Sequence, residues 1–147
     1  MSDREEPAGY APSDAELRSI LGDARTIAIV GLSSDPDRYS NEVAAFLQGK
    51  GYRIVPVNPN ETEVLGEPAA ASLLEVPPDV AIDVVDVFRR AEETPAIAAQ
   101  AVARGARVLW LQDGIVSEEA RRIAEDAGLT VIMGVCIKHT SRRLVPS

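Results

Sequence analysis

One loop concentrates groups that could do chemistry: Gly31-Leu32-Ser33-Ser34-Asp35-Pro36-Asp37-Arg38-Tyr39-Ser40-Asn41. Gly31 permits a tight turn and a close ligand approach. Ser33, Ser34 and Ser40 offer hydroxyls, and Arg38 offers a cation. A helix starting after the loop would add free N–H groups and the positive end of its dipole, which together suit a pyrophosphate. The same residues also read as a surface loop whose serines cap the helix.

Further groups occur at intervals along the chain. Phe88-Arg89-Arg90 offers guanidinium groups that can pair with phosphate, and a ring that can cover a base or a ligand arm. Arg89 reads equally as the partner of Asp86 or Glu92 in a weak surface pair. Gln112 and Gly114 offer a side-chain amide and bare backbone. Asp83 and Asp86 are unusual in an apolar stretch, and read as acceptors for neighbouring N–H groups before they read as an acid–base pair. Cys136 and His139 lack the partners that a zinc site or a catalytic thiol needs. Trp110 reads as core or as an oligomer contact. No catalytic and no metal-binding residues are assigned.

Periodicity supplies the elements that position these groups. Ser13-Asp14-Ala15-Glu16 is a capping box opening a short helix with Leu17, Ile20 and Leu21 on one face. Thr26–Val30 is a short apolar run of the kind found in buried parallel strands. A helix carrying Val43, Phe46 and Leu47 follows, then a strand over 53–57 ended by Asn58-Pro59. The pattern predicts a short edge strand over 62–65, a helical turn or two over 69–74, and a strand over 80–87. A helix begins near Thr94-Pro95, a strand covers 107–111, and a helix capped by Ser117 follows. The last strand covers 130–133, and an irregular tail is expected after it.

This alternation predicts an α/β, three-layer, Rossmann-like doubly wound parallel sheet of five to six strands. The expected strand order is 3-2-1-4-5-6, with 62–65 at an edge. Ligands of such sheets bind where the carboxyl ends of the strands meet at the change of direction. The loops converging there hold Gly31 to Ser40, Val57-Asn58-Pro59, Phe88 to Arg90, and Gln112 to Gly114. The glycine pattern and terminal acidic residue of a nicotinamide-dinucleotide site are missing. An NAD(P)-binding redox protein is therefore the weaker alternative, and no P-loop is present.

The chain has 147 residues and a formal net charge of -8, with 46% hydrophobic and 4% aromatic residues. Residues 13–147 are read as one domain, built on Val, Ile, Leu and Ala, behind a mobile tail over 1–12. The acidity argues against nucleic acid and anionic membrane as partners. The single cysteine and the polar start predict a cytoplasmic protein.

In order, Ile29–Pro36 with Arg38 and Ser40, Gly51–Pro59, Asp83–Arg90, Trp110–Gln112 with Gly114, and Met133–Lys138 resemble the stand-alone bacterial CoA-binding domain family. That family is related to the CoA-binding domain of the succinyl-CoA synthetase α subunit. The resemblance covers roughly residues 13 to 144. It implies a module that binds coenzyme A or an acyl-CoA without catalysis of its own, or else the CoA site of a multi-subunit acyl-CoA ligase. It further implies pyrophosphate contacts from Ser33, Ser34 and Arg38, adenosine near Val57-Asn58-Pro59, and further contacts from Phe88-Arg89 and Gln112–Gly114. No protein partner and no oligomeric state follow from it. The synthetase's phosphohistidine lies in a separate domain, and His139 inherits no such role.

Overall fold

The structure, a computed structural model, describes residues 9–146. Five parallel strands form the sheet: β1 (Thr26–Val30), β2 (Arg53–Val57), β5 (Val84–Val87), β6 (Val108–Leu111) and β7 (Thr130–Ile132). Their order is β2-β1-β5-β6-β7, so β1 and β5 lie side by side and the chain changes direction there. All five residues of β1 are buried, as a central strand covered on both faces requires.

Helices cover both faces. α3 (Thr94–Ala103) and α4 (Glu118–Asp126) lie on one face, where Ala98, Ala101, Ala120 and Ala124 pack over Val30, Val85, Leu109 and Val131. Alanine at these contacts brings the helices close to the strands and to each other. α1 (Asp14–Asp23), α2 (Tyr39–Gly49) and α5 (Ile137–Leu144) cover the other face. There Leu17, Leu21, Val43, Leu47 and Ile137 pack over Ile27, Ile29, Val84 and Trp110. Each fully buried Leu or Ile in this set contributes about 1.5–3 kcal/mol.

The expected edge strand over 62–65 is not part of this sheet. β3 (Glu63–Val64) pairs instead with β4 (Glu67–Pro68) in a separate antiparallel hairpin, tied to β2 by a single bridge between Val57 and Ala70. The edge of β2 is met by Ala70, after the hairpin, which exchanges backbone hydrogen bonds with Pro56 and Asn58, and 62–65 pairs back on 67–68 instead.

The long strand begins at Val84 rather than 80. Val80 donates to the Pro77 carbonyl in a turn, and the Arg104 guanidinium binds carbonyls of Leu73, Val76, Pro77 and Val80. Those backbone groups are held by a cation and are lost to a ladder. The expected turn over 69–74 is a short 3₁₀ segment over Leu73–Glu75.

The tail after β7 is helical, not irregular. Its apolar residues are too sparse to announce a helix, but Ile137 and Leu144, seven apart, bracket Thr140 and Ser141 on one buried face. The expected mobile tail over 1–12 lies outside the described residues up to position 8. Beyond it, Tyr10 exchanges two backbone hydrogen bonds of 2.8 Å with Met133, and its hydroxyl donates to Glu125, so that part of the segment is held against the edge strand. Trp110 is fully buried and donates its Nε1–H to the Val135 carbonyl at 2.8 Å, which places it in the core.

Candidate functional site

At the carboxyl ends of the strands, Gly31 leaves β1 with φ of 88°, and its N–H donates to the Val57 carbonyl at 2.8 Å. A Cβ there would lie 2.7 Å from the Phe88 carbonyl oxygen and 2.9 Å from Arg89 Cδ. Glycine is thus needed for contact between the loops after β1 and β5, a different reason from the close ligand approach expected of it.

The loop from Leu32 to Arg38 is organised by its own side chains. The Ser33 N–H donates to Ser40 Oγ at 3.1 Å, Ser33 Oγ accepts from the Asp35 N–H at 3.0 Å, and Asn41 Nδ2 donates to the Ser33 carbonyl at 2.8 Å. Ser40 and Asn41 are both buried in the first turn of α2. Asn58 joins this loop to β2: its Nδ2 donates to the Leu32 carbonyl at 3.0 Å. The Ser33, Ser40 and Asn58 side chains therefore shape the loop. Ser34 and Arg38 are exposed, and among the described residues the Arg38 guanidinium has no ion-pair partner.

The Ser34 N–H already has an acidic partner. It donates to Glu61 Oε2 at 2.8 Å. A carboxylate thus sits where a phosphate oxygen would sit if this backbone amide held an anion. Glu61 escaped the sequence reading because it belongs to the turn after β2, 27 positions away.

Two clefts open beside these loops and share Arg89. The first, about 360 Å³, is lined by Val30, Gly31, Val57, Pro59, Arg89 and Glu93, with Ala71, Ser72 and one face of α3. The second, about 510 Å³, is lined by Tyr39, Phe88, Arg89, Gln112, Asp113 and Gly114, with Arg90, Ala91, Glu92 and Ile115. Both volumes lie within the range of about 300–1,000 Å³ common for small-molecule sites. The structure thus brings together Gly31, Val57, Pro59 and Arg89 in one cleft, and Phe88, Arg89, Gln112 and Gly114 in the other. Ser33, Ser34, Arg38, Ser40 and Asn58 line neither.

Arg89 pairs with Glu93, not with Asp86 or Glu92, through an Nη2–Oε1 contact of 2.7 Å. The guanidinium holds the Glu93 carboxyl below its usual range. The Arg90 Nε lies 3.4 Å from Glu93 Oε2 and 3.9 Å from Glu92 Oε1. The α3 side of the first cleft, Ala96, Ile97 and Gln100 with Glu93 just before the helix, was missed because Ile97 also packs against the core and reads as a core residue alone.

One wall of the second cleft carries a buried amide. Gln112 is 1% exposed, and its Oε1 accepts from the Ile137 N–H at 3.1 Å at the start of α5. Its Nε2 is buried without a partner. Beside it the Tyr39 hydroxyl lies 2.6 Å from Cys136 Sγ, and the Tyr39 ring meets Phe88 edge-on with centroids 6.0 Å apart. Burial first, and the thiol next, push the Tyr39 phenol well above its usual range. Cys136 is buried and His139 exposed.

The two unusual aspartates differ. Asp83 Oδ2 accepts from the Arg25 and Thr26 N–H groups at 2.9 and 3.0 Å. Asp86 is fully buried in β5 between Ile29 and Trp110, and neither of its carboxyl oxygens has a partner. Burial, with Asp113 nearby, raises its carboxyl well above the usual range.

Comparison with known proteins places this chain in a family. The profile of the CoA binding domain matches residues 25–142. The Bacillus subtilis protein YneT is 47% identical over 127 residues, covering 86% of this chain and 93% of YneT. A Pyrococcus horikoshii protein of known structure shares the fold with a TM-score of 0.88 and 36% identity, covering 91% of this chain and 93% of its own. The α subunit of the Pyrococcus furiosus ADP-forming acetate–CoA ligase II is 29% identical over 122 residues, 77% of this chain but 27% of that subunit. By the extent of the profile match and by its likeness to YneT, this chain belongs to the CoA-binding domain family.

Proposed function

We propose that this protein binds coenzyme A or an acyl-CoA across the carboxyl end of the sheet, as a small module without catalysis of its own. The observation that carries the reading is the pair of clefts meeting at Arg89, where the sheet changes direction, in a chain of the CoA-binding domain family. Coenzyme A is long, with a nucleotide at one end and a thiol arm at the other, and two adjoining clefts suit it better than one. In this reading the adenosine lies in the first cleft against Val57 and Pro59, with Asn58 fixing the loop beside it. The pyrophosphate crosses near Gly31, Ser33, Ser34, Arg38 and Ser40. The arm enters the second cleft past Phe88 and Arg89 towards Gln112 and Gly114.

Several features weigh against the nicotinamide alternative. β2 ends in Val57-Asn58-Pro59, with no acidic side chain to hold a ribose, and the turn after β1 has one glycine. A cytoplasmic location fits the single thiol, and no described helix is long and apolar enough to cross a membrane. The second reading, a CoA-site component of an acyl-CoA ligase, draws on the likeness to the acetate–CoA ligase α subunit. It requires a separately encoded partner that copurifies with this chain.

Isothermal titration with coenzyme A, 3′-dephospho-CoA and NAD, after removal of any copurified ligand, tests the proposal. Saturable binding of coenzyme A, weaker for the dephospho form and absent for NAD, is expected. No binding of coenzyme A, or preference for NAD, overturns it.

A further inference from the structure

The second cleft ends on groups that binding alone does not explain. Tyr39 forms part of its wall, and the Tyr39 hydroxyl lies 2.6 Å from the sulfur of Cys136, the chain's single cysteine. Gln112, on the same wall, bonds through Oε1 to the N–H of Ile137, the residue after Cys136. Its Nε2 is buried without an acceptor. A buried donor left unpaired is destabilising, so this end of the cleft suits an incoming group that brings an acceptor. The amide and thioester carbonyls of a pantetheine-type arm are such acceptors. The Tyr39 ring is 40% exposed, stands at the first residue of α2, and meets Phe88 only edge-on. Its side chain can turn without disturbing the core.

We propose that Cys136 is a covalent capture site for the oxidised form of the cleft's ligand, a disulfide carrying coenzyme A. This rests on the reading above, with the thiol arm in the second cleft. The arm enters beside Phe88, its carbonyl accepts from Gln112 Nε2, and the Tyr39 hydroxyl turns off the sulfur. The Cys136 thiol gives up its proton and its sulfur attacks one sulfur of coenzyme A disulfide. A new S–S bond forms, the old one breaks, and the departing CoA thiolate takes up a proton. Cys136 is oxidised to the mixed disulfide while one ligand sulfur is reduced to a thiol. The disulfide is the oxidant, and no other reagent is needed.

The experiment incubates the reduced, full-length protein with coenzyme A disulfide or with glutathione disulfide at equal concentration. The adduct is followed by intact mass. With one cysteine, any single adduct is at position 136. Capture of coenzyme A should be at least about tenfold faster than capture of glutathione, because the cleft holds the reagent beside the sulfur. Reduced coenzyme A should slow alkylation of Cys136 by iodoacetamide to a similar degree.

Titration of Cys136→Ser with reduced coenzyme A separates the two proposals. If Cys136→Ser binds coenzyme A but the wild-type protein reacts equally with both disulfides, capture is wrong and the ligand reading stands. If coenzyme A neither binds nor protects, and both disulfides react alike, both readings fall. Gln112→Leu should lower the ratio of the coenzyme A disulfide rate to the glutathione disulfide rate, whatever its effect on each rate alone, because it also removes the acceptor of the Ile137 N–H. An unchanged preference in that variant would remove Gln112 from the account.

Discussion

Asp83 and Asp86 lie three residues apart near the two ends of one strand, and their surroundings are opposite. At the amino end the Asp83 carboxylate accepts two backbone N–H groups. At the carboxyl end, among the described residues, Asp86 has neither oxygen paired and Gln112 Nε2 is likewise unpaired. Folding alone favours satisfied polar groups. The fold satisfies the carboxylate at the amino end of β5, and at the carboxyl ends of β5 and β6 it retains Asp86 and Gln112 groups whose partners it does not supply. Among the described residues, none lining the amino-end cleft of about 200 Å³ beside Asp83, Arg107 and Thr130 has a buried side-chain polar atom without a partner.

The largest expected effect sharpens the contrast within the carboxyl end. Gly31→Ala puts a Cβ against the Phe88 carbonyl in a left-handed conformation. It should cost about 2–5 kcal/mol, the backbone penalty plus an overpacked contact. Gly114 has a similar φ of 82° but no atom within 4 Å of the added Cβ. Gly114→Ala should therefore cost only about 1–2 kcal/mol. Urea denaturation of both variants checks the ranking, and equal costs would mean that the contact between the two loops is not what requires Gly31.

The aspartates come next. Asp83→Ala strands two backbone N–H groups and should cost about 1–3 kcal/mol in the same assay. Asp86→Asn should act the other way at neutral pH. The folded state holds the Asp86 proton more tightly than the unfolded chain does. Stability therefore falls as pH rises from about 4, where the unfolded carboxyl ionises, up to the raised folded value, and then levels. Asn removes that decline, so the variant should match the wild type near pH 4 and exceed it at pH 7. A variant less stable at pH 7 would show that the Asp86 carboxyl has a partner in solution.

Arg38→Ala should leave the melting temperature unchanged and weaken coenzyme A binding by roughly tenfold to more than a hundredfold, as expected for a charged hydrogen bond. Unchanged affinity would remove the rim of the loop from the site. The smallest effect concerns Glu61, whose carboxylate occupies the Ser34 N–H. Glu61→Gln keeps an acceptor but removes the charge that competes with phosphate. Affinity should rise roughly twofold to fivefold. A fall would mean that Glu61 touches the ligand instead of standing in for it.

How much of this was legible in the sequence follows the range of the interactions. Strands β1, β2, β6 and β7 were readable from short apolar runs, because burial on both faces forces them to be apolar. The order of the sheet followed from alternation and crossover rules. The start of β5 was not, since it depends on Arg104 reaching 24 to 31 positions back to hold carbonyls. Helix α5 was hidden because Thr140 and Ser141 fill a buried face that apolar residues usually announce. In the site, the convergence of Gly31, Val57, Phe88, Arg89 and Gln112 was readable from strand ends. Glu61 on Ser34, Glu93 on Arg89 and Tyr39 on Cys136 are contacts between side chains from different turns and helices, and no local pattern encodes them.

The contrast between the two ends is tested most directly by ¹H–¹⁵N spectra recorded while coenzyme A is added. The account expects the largest shifts at Gly31, Ser33, Ser34, Gly114 and the Gln112 side-chain amide, with Arg25, Thr26 and Arg107 nearly still. Shifts concentrated at the amino end, or an unmoved Gln112 amide beside saturable binding, would contradict it.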